Sequence, residues 1–199
     1  MYLSIKQDYP DSEIARQALL QALRNLFRLE YKNIPDSDWT KIRDQIRIKP
    51  GKSVDQEYLD LMDVLYQWKA GRYQDAMSLA EKILLKNPDS SVVSQMLSLK
   101  RPRLTYTDWQ SLANLVKKSR SLQYLDISGM GIQSLKPLQG ASLYGLDCSY
   151  NNLKDLNGLE EMELHSLNLR GNPLTFNTSG NTADWLNRIR YLQISGKRP

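Results

Sequence analysis

The sequence predicts an α+β chain in which an N-terminal α-helical hairpin or solenoid region, residues 1–100, joins a short capped solenoid of repeated strand units, residues 101–199. Three observations predict it. Between Leu122 and Leu174 one apolar pattern recurs every 21 residues. Ahead of it, apolar residues recur at helical spacing and stop at Pro50 with Gly51, at Gly71 and at Pro88. Amphipathic segments carrying Trp109 and Trp185 flank the repeat on its two sides.

In chain order, Pro10 to Tyr31 has turn and capping residues followed by Ile14, Ala18, Ala22 and Phe27 at helical spacing, with Arg16, Arg24 and Arg28 left for the wet face. A second helix is expected after Ser37 and Asp38, carrying Trp39, Ile42 and Ile46. Val54 to Pro88 reads as two antiparallel helices broken at Lys69 to Arg72, with Gly71 in the turn and Tyr73, Ala76 and Ala80 after it. The triplet Pro-Asp-Ser precedes an amphipathic helix at both Pro10 and Pro88, so Met1 to Gln7 reads as the tail of a preceding helix in a longer array. After a helix at Asp89 to Leu99, Arg101 to Tyr106 is an extended connection. The helix that follows is expected to open on a capping box of Thr107 and Gln110, and about residues 107–118 it covers the first repeat with Trp109, Leu112 and Leu115. A C-terminal cap is expected at about residues 182–194, using Trp185, Leu186, Ile189 and Leu192.

The repeats read SLQYLDISGMGI, SLYGLDCSYNNL and ELHSLNLRGNPL, opened by Leu122, Leu143 and Leu164. Leu125, Leu146 and Leu167 share one column, Ile127, Cys148 and Leu169 a second, and Ile132, Leu153 and Leu174 a third. Asn151 and Asn172 share the position that Met130 holds in the first unit, where an Asn side chain bonds backbone groups of the turn leaving the strand. Leu135 with Leu138 and Leu156 with Leu159 give an apolar return side, and the pattern breaks at Phe176 to Gly180. A unit of this kind buries its apolar side only against its neighbours.

These residues resemble the leucine-rich repeat family, in the form of short bacterial-like units. Gly71, Tyr73, Ala76, Ala80 and Pro88 resemble the second half of a tetratricopeptide repeat, although Val64 and Gln67 stand where that family has a small residue and an aromatic. The resemblance implies a non-catalytic scaffold that binds a protein or peptide on a concave strand face. Similar short units also occur as regulatory or sensory segments of larger bacterial signalling enzymes such as serine/threonine kinases, whose motifs this chain lacks.

Composition narrows the chemistry. One Cys and one His cannot assemble a zinc cluster, a Cys/His catalytic pair or an internal disulfide; no metal, no cofactor and no enzyme activity are expected. No nucleophile, base and orienting group come together in the pattern, and Gly129 and Gly131 fall in a repeat turn rather than a phosphate loop. Cys148 occupies a core column. The net charge is +5; from Arg101 onward there are twelve Lys/Arg against eight Asp/Glu, in clusters read as solvated helix ends rather than a nucleic-acid face. No apolar run approaches the roughly 18 residues of a membrane span, and the first residues lack a signal-peptide apolar stretch. Compartment and oligomeric state are left open. Asn177 to Ser179 forms a glycosylation sequon.

The outward strand positions define the candidate partner-binding residues: Gln123, Tyr124, Asp126, Tyr144, Asp147, His165, Asn168 and Arg170. Tyr and Arg are enriched at binding hot spots. Asp126 and Asp147 align one strand apart, a spacing at which two carboxylates share a proton or a cation; a solvated row is the plainer reading.

Overall fold

The computed structural model describes residues 53–99, 101–160, 162–175 and 181–194. The helices expected before Pro50 and the sequon at Asn177 lie outside the described residues. The chain divides into two compact units, residues 1–59 and 60–199, and the described residues from Asp60 onward belong to the second. It combines helices with a small parallel sheet, and no described helix is long and apolar enough to cross a membrane.

Helix α1 (Ser53–Lys69) and helix α2 (Tyr73–Lys86) lie on either side of the expected break. Gly71, at φ +85°, ends α1 as the left-handed residue of a Schellman turn, in which its N–H donates to the Trp68 carbonyl and the Arg72 N–H to that of Gln67. The rings of Trp68 and Tyr73 meet edge to face across the turn at 5.0 Å. The Gln67 side chain accepts from the Arg72 guanidinium, which also lies 5.1 Å from the centre of the Tyr66 ring. Ala76 and Ala80 are fully buried on α2.

Helix α3 (Val92–Leu99) packs on α2, and α2 packs on α4 (Tyr106–Lys118). Gln74 donates to Asp108 at 2.6 Å, and Glu81 pairs with Lys118 along this seam. The N-cap of α4 is Thr105, not the expected Thr107. The Asp108 N–H donates to the Thr105 hydroxyl at 3.1 Å, while the Asp108 carboxylate accepts from the Thr105 hydroxyl and N–H. Both threonines have a polar residue three positions on, but Thr105 is extended (φ −66°, ψ 165°) and places a carboxylate at the positive helix end. Trp109, Leu112 and Leu115 face inward on α4, and the Trp109 indole N–H donates to the Ser134 carbonyl at 2.8 Å.

Four three-residue strands form one parallel sheet in chain order: β1 (Tyr124–Asp126), β2 (Gly145–Asp147), β3 (Ser166–Asn168) and β4 (Tyr191–Gln193). Leu125 pairs with Leu146, Leu146 with Leu167 and Leu167 with Leu192, so the 21-residue spacing is the sheet register for the first three strands. The Leu125, Leu146 and Leu167 column and the Ile127, Cys148 and Leu169 column are buried. Leu135, Leu138, Leu156 and Leu159 are buried on the return side, where Lys136–Leu138 forms one 3-10 turn under α4. The segment expected as the C-terminal cap divides: Asn181–Arg188 is helix α5, and Tyr191–Gln193 is β4. The Trp185 indole N–H donates to the Met162 carbonyl at 3.1 Å.

Successive turns are joined by the two asparagines. Asn151 accepts from the Ile132 N–H at 2.9 Å and donates to the carbonyls of Ile127 and Cys148, each at 2.9 Å. One repeat later, Asn172 accepts from Leu153 N–H at 3.1 Å and donates to the carbonyls of Cys148 and Leu169, each at 3.0 Å. Each side chain therefore binds its own turn and the turn before it. Among the described residues no strand precedes the first unit, and there the Met130 side chain is buried and its carbonyl accepts from the Leu104 N–H. Gly158, at φ +103°, lets two return segments touch, since a Cβ there would lie 2.6 Å from the Lys136 Cα.

Candidate functional site

With alternate strand residues committed to the core, the others face outward in rows set by register. One row is Asp126, Asp147, Asn168 and Gln193. The next is Tyr124, Gly145, Ser166 and Tyr191. Gln123, Tyr144 and His165 stand just before the strands.

The aromatic side chains form a continuous line across the sheet. Tyr124 meets Tyr144 edge to face at 5.4 Å, Tyr144 stacks on His165 at 4.5 Å, and His165 meets Tyr191 edge to face at 5.3 Å. Tyr124 and Tyr144 belong to different register positions, and they meet because position 145 is glycine. A Cβ on Gly145 would lie 2.6 Å from the Tyr124 ring and 2.5 Å from the Ser166 hydroxyl. Tyr124 and Tyr191 are 62% and 58% exposed, so large apolar surface stands in solvent at both ends of the line.

The polar row is part of the turn structure. Asp126 accepts from the Ser128 N–H at 3.0 Å and hydroxyl at 2.7 Å, and Asp147 accepts from the Ser149 N–H at 2.9 Å and hydroxyl at 2.6 Å. Asn168 holds the Arg170 N–H in the same way at 3.2 Å. This i to i+2 bond is the Asx turn that releases each strand into its loop. The second oxygen of Asp126 takes the Arg101 guanidinium, and that of Asp147 takes the Asn168 amide at 2.9 Å. The two carboxylates sit in register as expected, each with its own hydrogen-bond partners.

Between the rows lies a hollow of ≈ 360 Å³, lined by Tyr124, Asp126, Gly145, Asp147, Ser166, Asn168, Tyr191 and Gln193. Of the sequence-derived site residues, Tyr124, Asp126, Asp147 and Asn168 line it, and Tyr144 and His165 complete the aromatic line behind it. Gln123 is exposed at the strand start, its carbonyl accepting from Tyr144 and Gly145 N–H groups. Arg170 lies in the turn after β3, exposed and outside the hollow. Sequence reasoning did not include Tyr191, Gln193, Ser166, Gly145 or Arg101. For Tyr191 and Gln193 a signal existed: Ile189, Leu192 and Ile194 repeat the opening spacing of Leu122, Leu125 and Ile127.

Beneath this face, burial pushes the Cys148 thiol up to about 12, and the Asp147 charge adds to the effect. It is held as a neutral core side chain. Among the described residues, no group of three or more His, Cys, Asp or Glu side chains is placed to hold a metal ion. No protein family matches the chain, and none of the curated proteins or solved structures compared with it matches.

Proposed function

We propose that the chain is a non-catalytic protein-interaction scaffold whose outer strand face binds a protein or peptide. The observation that carries this reading is the line of four aromatic rings beside a registered polar row, with Tyr124 and Tyr191 more than half exposed. Tyrosines in that setting offer rigid contact area at low entropic cost. The architecture behind it is read as a short leucine-rich-repeat solenoid, capped by α4 and by the C-terminal segment, with a tetratricopeptide-like helical region ahead. Support for that comes from three parallel strands in 21-residue register and from asparagines that bond backbone groups of adjacent turns.

The test compares wild type with a variant carrying Tyr124→Ala, Tyr144→Ala and Arg170→Ala in pull-downs from native lysate, after thermal melting confirms that the variant folds. A partner lost by the variant alone supports the strand face. A partner retained by both moves binding to the helical region.

A further inference from the structure

The interaction-scaffold reading leaves the chemistry of the partner open, and the hollow on the strand face narrows it. Its floor is Gly145 and Ser166, the two small residues of their row, and its end walls are Tyr124 and Tyr191. Four parallel strands at roughly 4.8 Å spacing make it about 14 Å from end to end. That is the reach of about four extended residues at some 3.5 Å each. The stacked pair of Tyr144 and His165 covers one face of each ring, and the tyrosines at the two ends, Tyr124 and Tyr191, are the more exposed.

The charge in this hollow is negative, although the chain carries +5. Asp126 and Asp147 stand in adjacent strands with the same serine-capped geometry, yet their outer oxygens differ. Asp126 is paired with a guanidinium from the chain itself, that of Arg101. Asp147 has no cation at ion-pair distance among the described residues, and its outer oxygen accepts one amide bond from Asn168, leaving room for another. A planar guanidinium bonds a carboxylate and stacks on tyrosine at once, which an ammonium does less well.

Resting on the scaffold reading, we propose that the strand face binds an extended peptide segment through an arginine side chain. The guanidinium sits on Asp147 beside the pair that Arg101 makes with Asp126, and the aliphatic stem lies over Gly145 and Ser166 between the two tyrosines. Asp147 is then a ligand contact as well as a turn residue.

The experiment selects binders for the full chain from a displayed library of random heptapeptides, then measures synthetic versions by fluorescence anisotropy. Each is tested as selected and with arginine replaced by citrulline, which keeps the shape and removes the charge. The protein variants are Asp147→Asn, which retains the turn-capping oxygen as Asn168 does in the next unit, and Ser166→Leu, which fills the hollow without altering charge. Melting curves establish that both fold. The expected result is an arginine at one fixed position, with about tenfold weaker binding on citrulline substitution and in Asp147→Asn, and a larger loss in Ser166→Leu. Peptides that lose binding in Ser166→Leu but carry no arginine, or bind equally with citrulline, overturn the arginine assignment and leave the strand-face reading standing. Peptides indifferent to both Ser166→Leu and Asp147→Asn overturn the arginine assignment and the strand-face reading together.

Discussion

Asn151 is 4% exposed and holds backbone groups of two neighbouring turns. Truncating it to Ala removes the partner of the buried Ile132 N–H and of the Ile127 carbonyl, while the Cys148 carbonyl keeps its bond from Asn172, for an expected loss of about 2–4 kcal/mol by denaturant unfolding. Asn172→Ala is expected to cost less, because that side chain is partly open to water. Gly158→Ala meets both an unfavourable φ and the Lys136 backbone, and a loss of about 2–4 kcal/mol is expected. Cys148 makes a pH-dependent contribution. Its folded value of about 12 lies above the ordinary 9.0. Its contribution is therefore complete below pH 9.0 and is lost as pH rises toward 12. Denaturation midpoints of wild type should accordingly fall more steeply over that range than those of Cys148→Ala. The asparagines and Cys148 were legible in the sequence because their roles follow from a fixed spacing. The contact at Gly145 was not, since the spacing pairs Tyr124 with Gly145 but does not say that the Tyr124 ring turns across the sheet to lie over it.

At the scale of elements, α4 tests how tightly the first strand unit is covered. Trp109 is 1% exposed and bonds Ser134 through its indole N–H. Trp109→Ala is expected to cost about 3–5 kcal/mol. Thr105→Ala should cost about 1 kcal/mol by removing the N-cap, whereas Thr107→Ala, at an exposed position inside α4, should change stability little. Thermal melting of the pair separates the two capping assignments. The sequence offered both threonines with a polar residue three positions on, and only the backbone angle at Thr105 decides between them. β4 escaped the sequence reading for a similar reason. From Leu164 to Ile189 the opening position moves by 25 residues instead of 21, because α5 is inserted before the strand. A search at constant period ends one strand early, and so misses Tyr191 and Gln193.

At the scale of the molecule, a column of leucines behind the sheet and a row of tyrosines in front of it arise from the same two-residue alternation. The side facing inward has its polar atoms bonded by Asn151 and Asn172, while the side facing outward keeps Tyr124 and Tyr191 largely exposed. The most direct measurement of whether that outer face works as the binding surface is hydrogen exchange on the full chain with and without its captured partner. Binding there is expected to give protection recurring over residues 123–126, 144–147, 165–168 and 190–193, which lie side by side in the sheet. Protection confined to α1, α2 and α3, with the strand segments unchanged, would contradict it.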